Sequence, residues 1–508
     1  MIIKDIKVID ILQDGRGVGK ADSKVYFIEG ASFGETCDIE IINEKKNFIE
    51  AKKLKTTQRS CHFTQPPCPY FYECGGCTIM DTNYDTQIKL KENLIKNALK
   101  KTCRINIENI EILPSEKLGY RNKIRLQVDE KGRLAYNKKS SNDLVAIDDC
   151  LLANNHIRKN LPNIRKLTED ITKNLGRIIR EISIRSNGKE ILLNIYTSDE
   201  RKLYNYLKEE YPNQTYNINL INGRKIMTIG NDYLNFKLKD KIFKVSKDDF
   251  YQVNDYQIEN LYGSARKYLE KAKKLLDLFC GSGISSIALN DDHIVGIEIN
   301  KSAIEDAKQN AIANNLKDYK FIAKNAKYID QKFIKKEKIK AVTVDPPRSG
   351  LDKEIIKTLT KTKIENIIYI SCNPQTLARD IKRFMDRGYK LDKTKAVDMF
   401  PQTMHVETVA LLSKLNTEHH LDIEIGEDEL SEIDFSKDAT YGEIKQYVLD
   451  KYGLKVSSLY IAQVKRKHGL IERENYNISK KENQRVPNCP EEKEKAIEDA
   501  FEYFRMIY

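Results

Sequence analysis

The residues with the most chemistry to offer stand in three runs late in the chain. Asp345-Pro346-Pro347-Arg348-Ser349-Gly350-Leu351-Asp352 follows a strand-like run, Ala341 to Val344. Two prolines stiffen its turn and hold Asp345 at a sheet edge. Ser371-Cys372-Asn373-Pro374-Gln375-Thr376-Leu377-Ala378-Arg379-Asp380 ends the apolar run Ile367 to Ser371. A cysteine at a strand end, before a helix and among polar neighbours, is a candidate nucleophile. Pro401 to Ala410 contains His405 and Glu407, two residues apart. A strand would point both to one face, so either is a candidate base.

A fourth run suits a cofactor. Leu276-Asp277-Leu278-Phe279-Cys280-Gly281-Ser282-Gly283 closes a buried-type strand with glycines, which let a backbone approach a ligand. Ser286 breaks the Gly-x-Gly-x-x-Gly spacing of a plain dinucleotide fingerprint. Glu298, ending the next strand, is placed to accept both hydroxyls of a ribose, and Phe279 to pack against an adenosine. The pattern reads as S-adenosylmethionine or NAD. A thiol, a base and a methyl donor at one sheet edge suit methylation of uracil at C5. That carbon becomes nucleophilic once a thiolate adds at C6. A base must then remove the C5 proton so that the thiolate can leave.

Ten cysteines are present, and three stand close together in Cys68-Pro-Tyr-Phe-Tyr-Glu-Cys74-Gly-Gly-Cys77. Four thiolates suit a tetrahedral zinc or a [4Fe–4S] cluster. Cys103 and Cys150 are the nearest later candidates for the fourth, and spacing chooses neither the ligand nor the metal.

Elements able to position these groups can be read from hydrophobic periodicity. Residues 1–57 carry short apolar runs (Ile6 to Ile11, Lys24 to Ile28, Cys37 to Ile42, Phe48 to Lys53) separated by glycines, which predicts a small β-barrel. Residues 58–245 read as a central α+β domain, with helices at Tyr84 to Leu99, Ile164 to Leu175 and Lys202 to Glu209. Residues 246–412 alternate strands and helices, the pattern of a mostly parallel sheet covered on both faces. Residues 413–508 read as a small, partly helical extension. Thr440 is its expected first helix cap, Glu491 to Met506 a later helix, and Lys465-Arg466-Lys467-His468-Gly469 a basic patch. That patch is either a solvated face or an auxiliary contact. The first 412 residues carry +17 and the remainder −5, so a polyanion footprint belongs to the front. No run of 18 apolar residues and no secretory leader pattern is present, so a cytoplasmic protein without a membrane span is expected.

The segments 345–352 and 371–380 resemble the two signature motifs of bacterial RNA (uracil-5-)-methyltransferases. Phe250-Tyr251-Gln252-Val253-Asn254, Tyr120-Arg121-Asn122-Lys123 and His405-Val406-Glu407 extend the likeness over residues 1 to about 412. The resemblance implies an α/β, Rossmann-like, S-adenosylmethionine-dependent methyltransferase domain behind a TRAM-like, RNA-binding barrel. It implies that Cys372 adds to C6 and that Glu407, rather than His405, takes the C5 proton. Gln252, Phe279, Glu298, Asn325 and Asp345 match cofactor-contacting positions. Cys68, Cys74, Cys77 and Cys150 match ligands of a [4Fe–4S] cluster, which leaves Cys103 a bystander. Barrel and cluster together imply the ribosomal branch, so the expected substrate is 23S rRNA, methylated by a monomer. A transfer-RNA methyltransferase and a non-catalytic RNA-binding protein are the rival readings. The resemblance offers no role for residues 413–508.

Overall fold

Alternation of buried and exposed side chains builds the N-terminal strands. The computed structural model of the protein describes residues 1–269, 274–290, 293–415, 441–468, 489–504 and 506. Strands β1–β5 (Ile2–Ile11, Gly17–Ala21, Lys24–Glu29, Thr36–Glu44 and Ile49–Gln58) close into a barrel in the order β1-β2-β3-β5-β4. Ile6, Val8, Ile28, Cys37 and Ile39 fill it. Gly17 and Gly19, read from sequence as separators, lie inside β2. A Cβ on Gly19 would stand 2.5 Å from Ile6 Cγ2, so only glycine lets the strand cross this core so closely.

Helix α1 (Tyr84–Cys103) is capped by Asn83, whose Oδ1 accepts the Thr86 N–H. The short β6 (Ile112–Leu113) follows. Strands β7–β13 (Lys123–Val128, Leu134–Asn137, Leu144–Ala146, Ile179–Ser186, Ile191–Thr197, Asn217–Asn222 and Lys225–Ile229) form a seven-stranded sheet in the order β13-β12-β11-β10-β7-β8-β9. Helices α2 (Asn155–Leu175) and α3 (Glu200–Glu210) pack on it. Helix α2 begins well before the expected Ile164 and runs through Pro162. Its buried stripe of Ile157, Leu161, Ile164, Leu167 and Ile171 carries it across the proline. A hairpin, β14 (Tyr233–Leu238) and β15 (Lys241–Ser246), leads into the next layer.

Helices α4–α9 (Ile258–Leu269, Ile284–Leu289, Lys301–Ala313, Gln331–Lys336, Lys353–Lys361 and Pro374–Met385) flank strands β16–β22 (Leu275–Leu278, Ile294–Glu298, Tyr319–Ala323, Ala341–Val344, Asn366–Ser371, Tyr389–Val397 and Glu407–Lys414). With β6 these strands make one sheet, ordered β18-β17-β16-β19-β20-β22-β21-β6. The five strands from β18 to β20 are mutually parallel, and β22 runs antiparallel between β20 and β21. β16 and β19 are buried along their whole length, as expected for strands covered on both faces. The chain leaves β16 on one side for β17 and β18, then returns on the other for β19 and β20. The crevice at the carboxyl ends of β16 and β19 is therefore a topological switch point, where α/β sheets bind ligands. This is a Rossmann-like methyltransferase core with an N-terminal barrel and a C-terminal helical extension.

The chain divides into two units, Met1–Asn416 and Thr417–Tyr508. In the second, α10 (Tyr441–Tyr452), α11 (Ser458–Lys467) and α12 (Glu491–Tyr503) enclose Ile444, Val448, Ile461, Val464, Ile497 and Phe501. Within the basic patch Lys465 is buried, while Arg466, Lys467 and His468 are exposed. Lys467 pairs with Glu494 at 2.5 Å, and His468 Nε2 meets Glu498 at 2.8 Å, so these charges tie α11 to α12. The expected Thr440 cap and Gly469 lie outside the described residues.

Candidate active site

The cofactor side of the crevice is built on glycine. Gly283 has φ +77°, and a Cβ there would stand 3.0 Å from Ala307 and 3.1 Å from Phe321. A Cβ on Gly281 (φ +51°) would meet nothing within 4 Å, so this turn opens onto free space. Phe279, at the end of β16, also holds a left-handed φ of 69°, a conformation that non-glycine residues keep only under constraint. Glu298 ends β17; its Oε1 accepts the Asn300 N–H at 2.9 Å and its Oε2 the Gly281 N–H at 3.4 Å.

Two buried acceptors face no protein partner. Gln252 Oε1 has none, although the Gln252 carbonyl accepts Asn122 Nδ2 at 2.9 Å. Asp277 Oδ1 has none, while its Oδ2 accepts the hydroxyls of Ser285 (2.7 Å) and Ser286 (2.6 Å). Burial pushes the Asp277 carboxyl up to about 6. Unsatisfied buried acceptors beside an open glycine turn fit a polar ligand such as S-adenosylmethionine. Asp277 was not a sequence candidate because, inside an apolar strand, it read as part of the core. Asn325 caps the short turn Ala326–Tyr328, its Oδ1 accepting the Lys327 N–H.

The reacting side gathers at the ends of β19, β20 and β22. Asp345 follows β19, and burial together with the nearby Asp277 pushes its carboxyl up to about 7. Cys372 follows β20 and is half-buried. Glu407 opens β22. The antiparallel register sets Thr408 opposite Ser371, which brings Glu407 beside Cys372. The Glu407 carboxyl is buried and pushed well above the usual range, by desolvation first and Asp345 second, with Arg348 opposing. Burial pushes the Cys372 thiol up to about 11; Glu407 and Asp345 add to this and Arg348 opposes it. Arg348 is thus the cation of the site.

Hydrogen bonds lock the two signature segments together. The Arg348 carbonyl accepts from Thr376 Oγ1 (3.2 Å) and Asn373 Nδ2 (3.3 Å). Arg379 donates to the Ser349 carbonyl at 2.8 Å. Buried Asp380 accepts from the Leu351 N–H (2.7 Å) and Tyr369 (2.9 Å), and pairs with Arg379 and Arg383. Gly350 has φ +76°, and a Cβ there would stand 2.4 Å from Arg379 Nη2. Asp380 therefore anchors the loop that carries Asp345 and Arg348 to the helix that follows Cys372. His405 does not share a strand with Glu407, because β22 begins only at Glu407. Its Nδ1 lies 3.3 Å from Gln13 Nε2, and burial and Arg348 lower its pKa to about 4, so the ring is neutral.

Cys68, Cys74, Cys77 and Cys150 line one cavity of about 50 Å³ with Arg121. Among the described residues, no three His, Cys, Asp or Glu side chains are grouped to hold a metal ion. Cys103 lies elsewhere, its Sγ donating to the Ala378 carbonyl at 3.1 Å in the sheet core.

A largely parallel sheet with a glycine turn after its first strand and an acid after its second fits a core that binds S-adenosylmethionine or a dinucleotide. A family model described as tRNA (uracil-5-)-methyltransferase matches residues 83–415, and the chain belongs to that family. An RNA methyltransferase of Caldanaerobacter subterraneus subsp. tengcongensis is 32% identical over 453 residues, covering 81% of this chain and 99% of that protein. Another, from Aquifex aeolicus, is 32% identical over 421 residues, covering 80% and 97%. Among solved structures, the Pyrococcus abyssi tRNA (uracil-54, C5)-methyltransferase, in complex with S-adenosyl-L-homocysteine, superposes with a TM-score of 0.65. It is 27% identical and covers 80% of this chain and 99% of its own. The activity is therefore S-adenosylmethionine-dependent methylation of RNA uracil at C5.

The expected 23S rRNA substrate is overturned by the same comparison. An enzyme acting on transfer RNA is matched over nearly its whole length by four-fifths of this chain. Architecture shared to that extent does not mark a ribosomal substrate, which was the ground of the expectation. Among the described residues no helix is long and apolar enough to cross a membrane.

Proposed function

We propose that the protein methylates C5 of a uridine in transfer RNA. The likeness to the Pyrococcus abyssi tRNA enzyme over 80% of this chain carries the substrate. Cys372 Sγ adds to C6 of the uracil and makes C5 nucleophilic. S-adenosylmethionine supplies the electrophilic methyl group. Glu407 takes the C5 proton, and the C6–S bond then breaks to return Cys372. The elevated pKa of Glu407 suits a base that must hold a carbon-bound proton. Gln252, Phe279, Glu298, Asn325 and Asp345 are the residues of this chain that would hold the donor, and Asp277 joins them through its unpartnered Oδ1. The target uracil must leave its stack to reach Cys372, at a cost of a few kcal/mol, roughly, least when it is unpaired. The barrel and the +17 front hold the phosphate backbone.

The cysteine loop is the candidate seat of an iron–sulfur cluster. Four thiols surround one cavity, and Arg121, whose buried Nε has no partner, lines it as a counter-charge. A cluster there would pin the 68–77 loop to Cys150; methyl transfer requires no electron from it. Incubation with labelled S-adenosylmethionine and unmodified transfer RNA, with the product nucleoside identified by mass, tests the proposal. 5-Methyluridine is the expected product, and label in any other nucleoside refutes it.

A further inference from the structure

The stretch 398–406, which delivers Glu407, has no regular structure, yet most of it is buried. Met399, Met404 and Val406 enter three different apolar clusters, Met404 that of the barrel. Between them Gln402 holds φ +69°, which a residue with a Cβ keeps only where its surroundings compel it. The surroundings are specific. The Gln402 N–H donates to Gln87 Oε1 (3.1 Å), and its carbonyl accepts the N–H groups of Thr78 (3.0 Å) and Ile79 (3.1 Å). Its side chain accepts from Gln87 Nε2 (2.9 Å) and donates to the Lys117 carbonyl (3.2 Å). Thr78 Oγ1 then accepts the Met404 N–H at 3.2 Å. Gln87 belongs to α1, and Thr78 directly follows Cys77.

We propose that Gln87, Gln402 and Thr78 are positioning residues for Glu407, and that through them the cysteine loop sets the last chemical step. The proposal rests on Glu407 being the base. In that step the C5–H bond breaks and its proton goes to the Glu407 carboxylate. The freed pair forms the C5–C6 double bond, and the C6–S bond breaks with its electrons returning to Cys372 Sγ. Addition at C6 and arrival of the methyl group use Cys372 and the donor, not the placement of Glu407. Loosening the clamp therefore slows elimination alone. A merely structural lesion would lower every step together.

Rapid-quench reactions of the full chain with labelled S-adenosylmethionine and unmodified transfer RNA separate these cases. Methylated RNA and protein–RNA adduct that resists denaturation are both quantified. Gln87→Ala and Thr78→Val are expected to form methylated adduct at the wild-type rate, accumulate it, and lose turnover tenfold or more. The KM for S-adenosylmethionine stays unchanged, and Thr78→Ser, which restores the acceptor, recovers turnover. Thr78→Val keeps the side-chain shape and carries the test if Gln87→Ala fails to fold. Turnover and adduct formation falling in parallel would overturn the proposal. So would wild-type turnover, or no excess adduct, in variants compared with a Glu407→Gln control that does accumulate it. A Glu407→Gln protein without adduct would remove the base assignment and the clamp with it.

Discussion

Alkylation of Cys372 in the RNA-free protein reports directly on how the site holds its nucleophile. Burial, Glu407 and Asp345 push its thiol up to about 11, and Arg348 opposes them. At pH 7 roughly one thiol in 10⁴ is then ionised, and at pH 9 roughly one in 10². The rate of modification by iodoacetamide should thus rise roughly a hundredfold across that interval, since the thiolate is the reacting form. Asp345, with its carboxyl at about 7, ionises in the same window. Its new charge disfavours the thiolate, so the rise falls slightly short of tenfold per pH unit. Glu407→Gln removes the largest acidic contribution to the raised thiol. The variant should alkylate faster than wild type. Peptide mass after quenching separates Cys372 from exposed Cys61. A rate already flat between pH 7 and 9 would mean a thiolate stabilised at rest. Slower alkylation in Glu407→Gln would show that the acid does not oppose the thiolate, and either result refutes the electrostatic reading.

Other consequences can be checked separately. Cys372→Ala should abolish turnover while RNA binding persists in a filter or gel-shift assay; lost binding would show a role beyond chemistry. Lys91 and Asp398 form a fully buried pair at 2.5 Å, and Tyr84 adds a bond to Asp398 at 2.8 Å. Lys91→Met should cost about 3–5 kcal/mol in denaturant unfolding, with much of it recovered in Lys91→Met/Asp398→Leu; unchanged stability of the single variant would contradict this. Anaerobic reconstitution with iron and sulfide should load about four irons per chain. Loading should fall in Cys150→Ser and not in Cys103→Ser; the reverse order would reassign the fourth ligand.

The candidate reacting groups could be picked out because strand-end motifs keep their chemistry in consecutive residues. Cys372 and Asp345 each follow a strand whose apolar run is plain in sequence. Glu407 was legible as one of two candidate bases, and only likeness chose it over His405, since its neighbour Cys372 is brought to it by strand register, 35 positions away in sequence. The same limit hid the clamp: Gln87 and Gln402 are 315 residues apart and meet through the fold alone. β2 was hidden by its glycines, which mark turns in most contexts but here make room for Ile6. The ion pairs of the tail's basic patch were not legible, because its partners, Glu494 and Glu498, lie on the next helix. The substrate was misread because barrel and cysteine loop were taken as ribosomal markers. An enzyme acting on transfer RNA shares four-fifths of this chain, so that architecture does not single out a ribosomal substrate.

Methyl transfer to unmodified transfer RNA and, in parallel, to unmodified 23S rRNA tests the central claim most directly. The protein should be purified without oxygen and the labelled nucleoside identified by mass. 5-Methyluridine in transfer RNA, and none in 23S rRNA, is the predicted result. 5-Methyluridine in 23S rRNA alone would contradict the substrate, and no 5-methyluridine in either RNA would contradict the chemistry assigned to Cys372 and Glu407.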